Sequence, residues 1–265
     1  MRSFTKYFAV FRINLLQQLA YNGESVARSL SMALFMVVFT ALWSTAYGVS
    51  GRSDLAGFTL PAIIWYLAMT ETLMLARARS CVDIGDEVKS GSIAYALNKP
   101  YSYPLFKWAD TLGTSLVRFA INFVVGVVVV LFLTRSIEGS GAGLLGFVVL
   151  GLLSLVLDAG ISVLIGLCAF ALEEVRPVDW MYQKLVFTIG GMFIPLDAFP
   201  DWLRAIADAL PFKYLVYAPA RTFVRFDAQF FLESLGGVTL YIALVGAALW
   251  VLYARGAKRL AVNGG

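Results

Sequence analysis

Long apolar runs, broken by short charged segments, dominate this chain of 265 residues. Hydrophobic residues make up 60% of the sequence and charged residues only 14%, whereas about a quarter of the residues of a soluble domain are charged. Several runs approach or exceed the roughly 20 apolar residues that a helix needs to cross the hydrocarbon core of a bilayer. The sequence therefore predicts an all-α, polytopic membrane protein.

Six transmembrane helices are predicted. They cover residues 29–49, 57–76, 112–133, 142–172, 178–195 and 235–253. The fourth run is about 31 residues long, so its helix must tilt or extend beyond the membrane. The fifth run loses its spanning character at Pro195. We therefore expect a single transmembrane domain that occupies residues 1–265, with six spans and both termini on the same side.

The N-terminal segment, residues 1–26, has the pattern of an amphipathic helix over residues 3–22. Its apolar side chains recur at steps of three and four residues. They are Phe4, Tyr7, Phe8, Phe11, Leu15 and Leu19. This pattern indicates a helix in the membrane interface. A soluble helix packed on a partner is the alternative.

The distribution of basic residues orients the predicted spans. With both termini inside, fifteen Lys and Arg residues lie on the cytoplasmic side and six lie outside. The six outside are Arg52, Arg135, Arg204, Lys213, Arg221 and Arg225. Cytoplasmic loops carry the excess of Lys and Arg in membrane proteins. The sequence thus predicts cytoplasmic termini.

The predicted cytoplasmic loop at residues 77–110 contains the sequence DIGDEVKSGSIAYALNKP, residues 83–100. The spacing predicts a short amphipathic helix that ends at Gly91, because glycine readily adopts the left-handed conformation of a helix end. Ser92 is predicted to cap a second helical turn. Two interpretations remain open: a docking element that presses apolar side chains into a groove of a soluble partner, or an interfacial helix on lipid.

The outer segment at residues 195–228 combines prolines with an amphipathic pattern. A helix is predicted to begin at Pro200, which suits a first helical position, and to stop at Pro211. About ten residues of helix cover only about 15 Å, half of the roughly 30 Å core. We expect half-depth pieces that form an outer gate or, alternatively, a cap that packs the helices. The candidate gate residues are Pro195, Phe199, Pro200, Trp202, Ile206 and Pro211.

Asp158 and Glu71 fall within predicted spans, where an ionisable group is costly and marks a functional hypothesis. Asp158 lies near the middle of the fourth span. It is expected to line the subunit interface or the cargo path, or to accept hydrogen bonds from Ser154, Ser162 or another span. Glu71 lies about one turn from the cytoplasmic end of the second span, near Arg77, and snorkelling or ion pairing explains it.

The sequence excludes several classes of protein. Histidine is absent, and neither HExxH nor GxSxG occurs, so an enzyme is not expected. No GxxxxGK[ST] motif occurs, so any ATP hydrolysis must reside in another chain. The two cysteines give no metal-ligand spacing. The basic residues flank apolar spans, so no nucleic-acid partner is expected.

Two segments carry a resemblance to a known family: KSGSIAYALNKPYSYPLF at residues 89–106 and GGMFIPLDAFPDWLRAIADALPFKYLVYAP at residues 190–219. The sequences ALWSTAYG at 41–48, ALEE at 171–174 and RGAKRLAVNGG at the end support it. The chain resembles the membrane permease subunit of a type-2 ABC exporter (ABC-2), in its compact six-span branch. The resemblance covers essentially the whole length.

The resemblance implies ATP-driven export through the bacterial inner membrane. It implies an N-terminal elbow helix, a cytoplasmic coupling helix and extracellular re-entrant helices between spans five and six. It also implies a soluble ABC ATPase dimer, which would bind ATP and magnesium, and a second permease subunit, identical or homologous. The exported cargo is expected to be small or amphipathic, and no cofactor is expected in this chain.

The implied contacts with the ATPase fall on the coupling loop. Val88, Ile93 and Leu97 are expected as hydrophobic docking residues beside Gly91. Asp86 and Glu87 are expected as polar partners of the ATPase. The alternatives are an ion-coupled secondary transporter, driven through Asp158 or Glu71, and a non-transporting membrane scaffold.

Overall fold

A computed structural model describes residues 2–20, 23–51, 53–172 and 174–263, and gives side chains for 6–18, 30–51, 53–96, 98–172 and 174–254. Helices are the regular elements of this described part. They are α1 (Arg2–Ala20), α2 (Gly23–Ser50), α3 (Leu60–Ala76), α4 (Ser80–Lys89), α5 (Ile93–Leu97), α6 (Tyr103–Thr134), α7 (Gly141–Leu167), α8 (Arg176–Thr188), α9 (Asp201–Ala209), α10 (Tyr217–Val224) and α11 (Ala228–Asn263). The prediction of an all-α fold is confirmed.

Four stretches of the described helices are long and apolar enough to cross a membrane. They are Leu30–Ser50 in α2, Tyr103–Thr134 in α6, Gly141–Phe170, which begins with α7, and Ala228–Ala254 in α11. These correspond to the predicted first, third, fourth and sixth spans. The predicted fourth run divides into α7 and a short 3₁₀ turn, Cys168–Phe170. The chain is therefore a multi-pass membrane protein with fewer full-length apolar helices than the six expected.

The predicted second span forms the shorter helix α3, which lies at the centre of the protein. Its 17 residues extend about 26 Å, slightly less than the roughly 30 Å hydrocarbon core. Thr59 caps it by accepting a hydrogen bond from the backbone N–H of Ala62. Trp65 and Tyr66 are almost fully buried, because α2, α6 and α10 surround the helix.

The predicted fifth span ends earlier than its sequence suggests. The helix α8 has 13 residues, about 20 Å, and stops at Thr188 rather than at Pro195. A turn at Gly190 and Gly191 ends it, and Gly191 has a φ of +80°, which glycine adopts without steric cost. The hydroxyl of Tyr66 donates a hydrogen bond to the Gly191 carbonyl, so α3 binds this turn.

The outer segment folds into two short helices of different character. The helix α9 begins after Pro200, which is its N-cap, and ends before Pro211, close to the predicted boundaries. The helix α10 follows a 3₁₀ turn at Pro211–Tyr214. It is buried against α7 and α3, whereas α9 contributes only Ala207 to the buried residues. Of the two helices of this segment, α10 thus packs inside the helical bundle and α9 lies at its surface.

The N-terminal helix α1 packs along the start of α6. Asn14 joins them, because its Nδ2 donates to Asp110 Oδ1 at 2.8 Å and its Oδ1 accepts from Thr114 Oγ1 at 2.8 Å. Phe8 and Ile13 remain exposed on the opposite side. The side chains of Phe4 and Leu19 lie outside the described part. The predicted amphipathic helix therefore has one face bonded to the protein and another left apolar and open.

Candidate functional site

The helix α4 is held closely against α7. Its inner face buries Cys81, Ile84 and Gly85. Close approach depends on glycines, because a Cβ on Gly166 of α7 would lie 2.8 Å from the Cβ of Ile84, and a Cβ on Gly85 would lie 2.6 Å from Cγ2 of Val175. Real Cβ contacts are essentially never that short. The helix α4 therefore lies directly against α7.

The turn after α4 has the predicted glycine geometry. Gly91 has a φ of +72°, in the left-handed region that favours glycine. Ser90 stabilises the end of α4 by donating its hydroxyl to the Asp86 carbonyl at 2.8 Å. Ser92 precedes α5 but makes no side-chain cap. Its hydroxyl instead lies 2.9 Å from the Ser90 hydroxyl, so the predicted Ser92 cap is wrong.

The predicted docking residues occupy different environments. Ile93 is only 3% exposed and packs in the core, so it does not protrude as the docking interpretation requires. Val88 is half-buried against the same core. The Leu97 side chain lies outside the described part. The side chain that does protrude is Tyr95, which is 80% exposed.

The predicted polar partners also differ from one another. Glu87 is engaged within the chain, because its Oε1 lies 2.6 Å from Lys107 Nζ and its Oε2 accepts a hydrogen bond from the Tyr103 hydroxyl. These contacts join α4 to the start of α6, so Glu87 binds within its own chain rather than to a partner. Asp86 is exposed, with one carboxylate oxygen 3.5 Å from Arg176 Nη2, and it remains available at the surface.

An ion pair at the surface links α4 to the segment before α8. Lys89 Nζ donates to Glu174 Oε2. This hydrogen bond, with one from the Arg176 backbone N–H, holds the pKa of Glu174 below its usual range. Glu173 lies outside the described residues. The N-terminal end of α8 is therefore anchored to α4 by charge as well as by packing.

Burial alters the ionisation of two groups on α4. It raises the pKa of the Cys81 thiol to about 12, with the nearby Asp179 carboxylate adding to the shift. Burial also raises the pKa of Asp83, and the positive charge of Lys107 partly opposes this. Cys81 is consequently a neutral packing group at physiological pH rather than a reactive thiolate.

Asp158 is held by an arginine and a tyrosine. Its Oδ1 accepts from Arg77 Nε at 2.7 Å and from the Tyr182 hydroxyl at 2.6 Å. The Arg77 guanidinium also lies over the Tyr182 ring, 4.7 Å from its centroid. The predicted partners are engaged elsewhere: Ser154 donates to the Leu215 carbonyl, and the Ser162 hydroxyl accepts from the Cys81 backbone N–H. Asp158 thus accepts hydrogen bonds from the linker between α3 and α4 and from α8.

Glu71 is almost completely buried in α3. Arg77, its expected neighbour, pairs with Asp158 instead. The snorkelling interpretation does not fit a side chain so enclosed. A functional role for Glu71 stays a prediction.

The residues around Asp158 line a cavity of about 540 Å³. It lies where the linker between α3 and α4 meets α6, α7 and α8. Charged, polar and apolar groups share its wall. They are Met74, Leu75, Arg77, Ala78, Arg79, Asp83, Arg118, Asp158, Ser162, Asp179, Tyr182 and Gln183. The sequence does not reveal this cavity, because its wall comes from four separate stretches of the chain.

The candidate gate residues do not form one cluster. Pro195 is buried, Phe199 and Pro211 are half-buried, and Pro200 is exposed. Trp202 is 67% exposed and Ile206 lies beside it on the same open face of α9. The structure thus separates an inner part of the segment, near Pro195, from an outer apolar face on α9.

A charged cluster beneath α9 joins the two parts. The Tyr217 hydroxyl donates to Asp197 Oδ2 at 2.7 Å, and Asp197 Oδ1 lies 3.7 Å from Arg221 Nε. The Arg221 guanidinium packs 3.8 Å from the centroid of the Phe230 ring. These contacts connect the turn after Pro195 to α10 and α11.

The sequence matches a known protein family over most of its length. The family described as ABC-2 family transporter protein matches residues 23–264. The chain belongs to the ABC-2 transporter family. No curated protein matches the chain. Membership makes this chain a membrane component of an ABC transporter, a class that implies an ABC ATPase as partner.

Proposed function

We propose that this ABC-2 protein is the permease subunit of an ATP-driven exporter. It forms the translocation path with a second permease, identical or homologous, and a separate ATPase dimer supplies the energy. In this proposal α1 is the elbow helix, α4 with α5 is the coupling element, and α9 with α10 is the extracellular gate. The termini are cytoplasmic, in the inner membrane.

The observation that carries the proposal is the attachment of α4. Glycines allow α4 to lie directly on α7, and Glu87 ties it to Lys107 of α6. A force on its outer surface therefore reaches two long membrane helices without an intervening loop. Such rigid attachment is what coupling between a soluble motor and a permease requires.

The coupling contacts need revision relative to the sequence prediction. Ile93 is buried and Glu87 is engaged, so neither is suited to meet a partner. Tyr95 and Asp86 are exposed on the same element, and aromatic side chains are enriched among the residues that dominate interface energies. We place the ATPase contact at Tyr95, with Asp86 as its polar neighbour.

Cargo release is assigned to the opposite end. The helix α10 is buried between α3 and α7, so a shift of α7 displaces it. The Asp197–Tyr217–Arg221 cluster passes that displacement to the turn that precedes α9. The exposed apolar face of α9 suits contact with the outer leaflet or with an amphipathic cargo.

Purification from native membranes tests the proposal. An affinity-tagged chain solubilised in mild detergent is expected to bring down a soluble subunit that carries the GxxxxGK[ST] motif. An ion-coupled transporter would instead purify without an ATPase and transport its substrate when only an ion gradient is supplied. That second result would overturn the proposal.

A further inference from the structure

The cavity beside Asp158 has balanced charge. Its wall carries three guanidinium groups, from Arg77, Arg79 and Arg118, and three carboxylates, from Asp83, Asp158 and Asp179. A simple anion or a simple cation would gain as much repulsion as attraction there. A ligand that carries both signs of charge would meet partners for each. The volume of about 540 Å³ is within the range of roughly 300–1,000 Å³ that is typical of small-ligand sites.

The cavity has a buried floor and an open mouth. Asp158 and Tyr182 form the floor with Arg77, whereas Arg79 and Asp83 are exposed at the mouth. Two half-buried apolar side chains, Met74 and Leu75, belong to the same wall. A ligand with a charged head and an apolar continuation would match this arrangement.

The floor presents a donor suited to an oxyanion. Arg77 uses its Nε on Asp158, while its Nη1 donates to the sulfur of Met74 at 3.6 Å. A thioether sulfur is a weak acceptor. Phosphate oxygens bind guanidinium groups strongly and with matching geometry, so a phosphate in the cavity would be a better acceptor for this edge of Arg77.

We propose that the cavity binds a phosphoethanolamine group. The phosphate lies against Arg77 and Arg79, and the ammonium group lies against the carboxylate of Asp83. Met74 and Leu75 contact the less polar part of the ligand. The group is either the headgroup of phosphatidylethanolamine or a free phosphoethanolamine ester. Since the linker that leads into α4 forms part of the cavity wall, a ligand bound there would influence the position of α4.

Native mass spectrometry of the purified chain tests this binding directly. The protein is exchanged into detergent with equal amounts of phosphatidylethanolamine, phosphatidylcholine and phosphatidylglycerol of identical acyl chains. The quaternary amine of the choline lipid donates no N–H bond to Asp83, and the glycerol lipid has no amine. We expect phosphatidylethanolamine to be retained over each by about tenfold. Equal retention of the three lipids would overturn the proposal.

Two variants at the mouth test the assigned contacts without disturbing the buried floor. Asp83→Asn is expected to remove the preference for phosphatidylethanolamine over phosphatidylglycerol, and Arg79→Gln to weaken retention of all three lipids. Matched controls are Asp201→Asn and Arg204→Gln, both exposed on α9, which are expected to retain lipid as the wild type does. Wild-type retention in both mouth variants would contradict the site.

The source of the group is resolved with a soluble probe. Free phosphoethanolamine is added during thermal unfolding of the delipidated protein. A rise in Tm that Asp83→Asn abolishes supports the site with a soluble ligand, and lipid retention without such a rise supports it with the lipid headgroup. The absence of both the rise in Tm and the lipid retention would overturn the proposal. Binding is read without an ATPase, so this outcome is independent of the exporter function.

Discussion

Arg77 Nε lies 2.7 Å from Asp158 Oδ1, and this contact joins the linker between α3 and α4 to the middle of α7. Both side chains are largely removed from solvent. A charge in such a place is tolerated because its partner and a further hydrogen bond, here from Tyr182, compensate for desolvation. Asp158 therefore stabilises the junction between this linker and α7.

Removing one member of this pair should destabilise the protein strongly. Asp158→Ala leaves the buried Arg77 charge uncompensated, and such changes cost roughly 3–5 kcal/mol. Asp158→Asn keeps an acceptor for Tyr182 and should cost less. The free energy of unfolding in detergent, measured with the single and double variants of Arg77 and Asp158, gives the coupling energy. A loss below about 0.5 kcal/mol, as at ordinary surface positions, would contradict the structural role.

The left-handed turn at Gly91 should resist substitution for a backbone reason alone. Nothing lies within 4 Å of a Cβ built at this position, but a residue with a Cβ pays about 1–2 kcal/mol for the left-handed conformation. Gly91→Ala should lower the free energy of unfolding by about that amount. Gly48→Ala is the matched control, since Gly48 also has open space but lies within helix α2, where alanine is favoured by roughly 0.5–1 kcal/mol. Equal effects of the two changes would show that the turn geometry is wrong.

The contact between α4 and α7 should depend on Gly166. Gly166→Ala places a methyl group 2.8 Å from the Ile84 Cβ, and overpacking of this kind costs about 1–3 kcal/mol. Adding Ile84→Ala keeps that Cβ but removes the Cδ1 atom, which also lies 2.8 Å from the new methyl group, so the double variant should be less destabilised than the sum of the single changes. Gly236→Ala, which meets no atom within 4 Å, serves as the control. Strict additivity of Gly166→Ala and Ile84→Ala would contradict the packing.

The Cys81 thiol should be unreactive in the folded protein at neutral pH. Burial raises its pKa to about 12, so the thiolate fraction is depressed and grows only as the pH rises toward that value. In a Cys168→Ser background, maleimide labelling at pH 7 should be far slower than after unfolding in detergent, and Gly166→Ala should accelerate it by loosening α4. Native labelling at the rate of a free thiol would exclude the buried placement of Cys81.

Local sequence signals predicted the short elements well. Gly91 follows the end of α4, and Pro200 with Pro211 bounds α9 closely, because each residue acts on its own backbone. The end of the predicted fifth span was missed, since the turn at Gly191 depends on a hydrogen bond from the distant Tyr66. An apolar sequence alone does not reveal such a partner.

The sequence predicts the candidate site less completely than the helices, because the site depends on contacts between residues that are distant in the sequence. Nothing near Asp158 in the sequence indicates that Arg77, 81 positions away, is its partner. Helical spacing placed Ile93 on an apolar face but could not show that this face is covered by the chain itself. Tyr95 went unassigned because its exposure depends on how α5 sits against the core.

The coupling of ATP hydrolysis to this permease is tested most directly by ATPase turnover of the purified complex in nanodiscs. The comparison is between the wild type, Tyr95→Asp on the coupling element and Ile137→Asp, an equally exposed apolar position in the turn between α6 and α7. Loss of a hot-spot residue at an interface costs about 2 kcal/mol or more. With Tyr95 as the hot spot of this contact, we predict that Tyr95→Asp lowers ATPase affinity and permease-dependent turnover by at least about tenfold, while Ile137→Asp matches the wild type. Wild-type turnover of Tyr95→Asp would contradict coupling through α4 and α5.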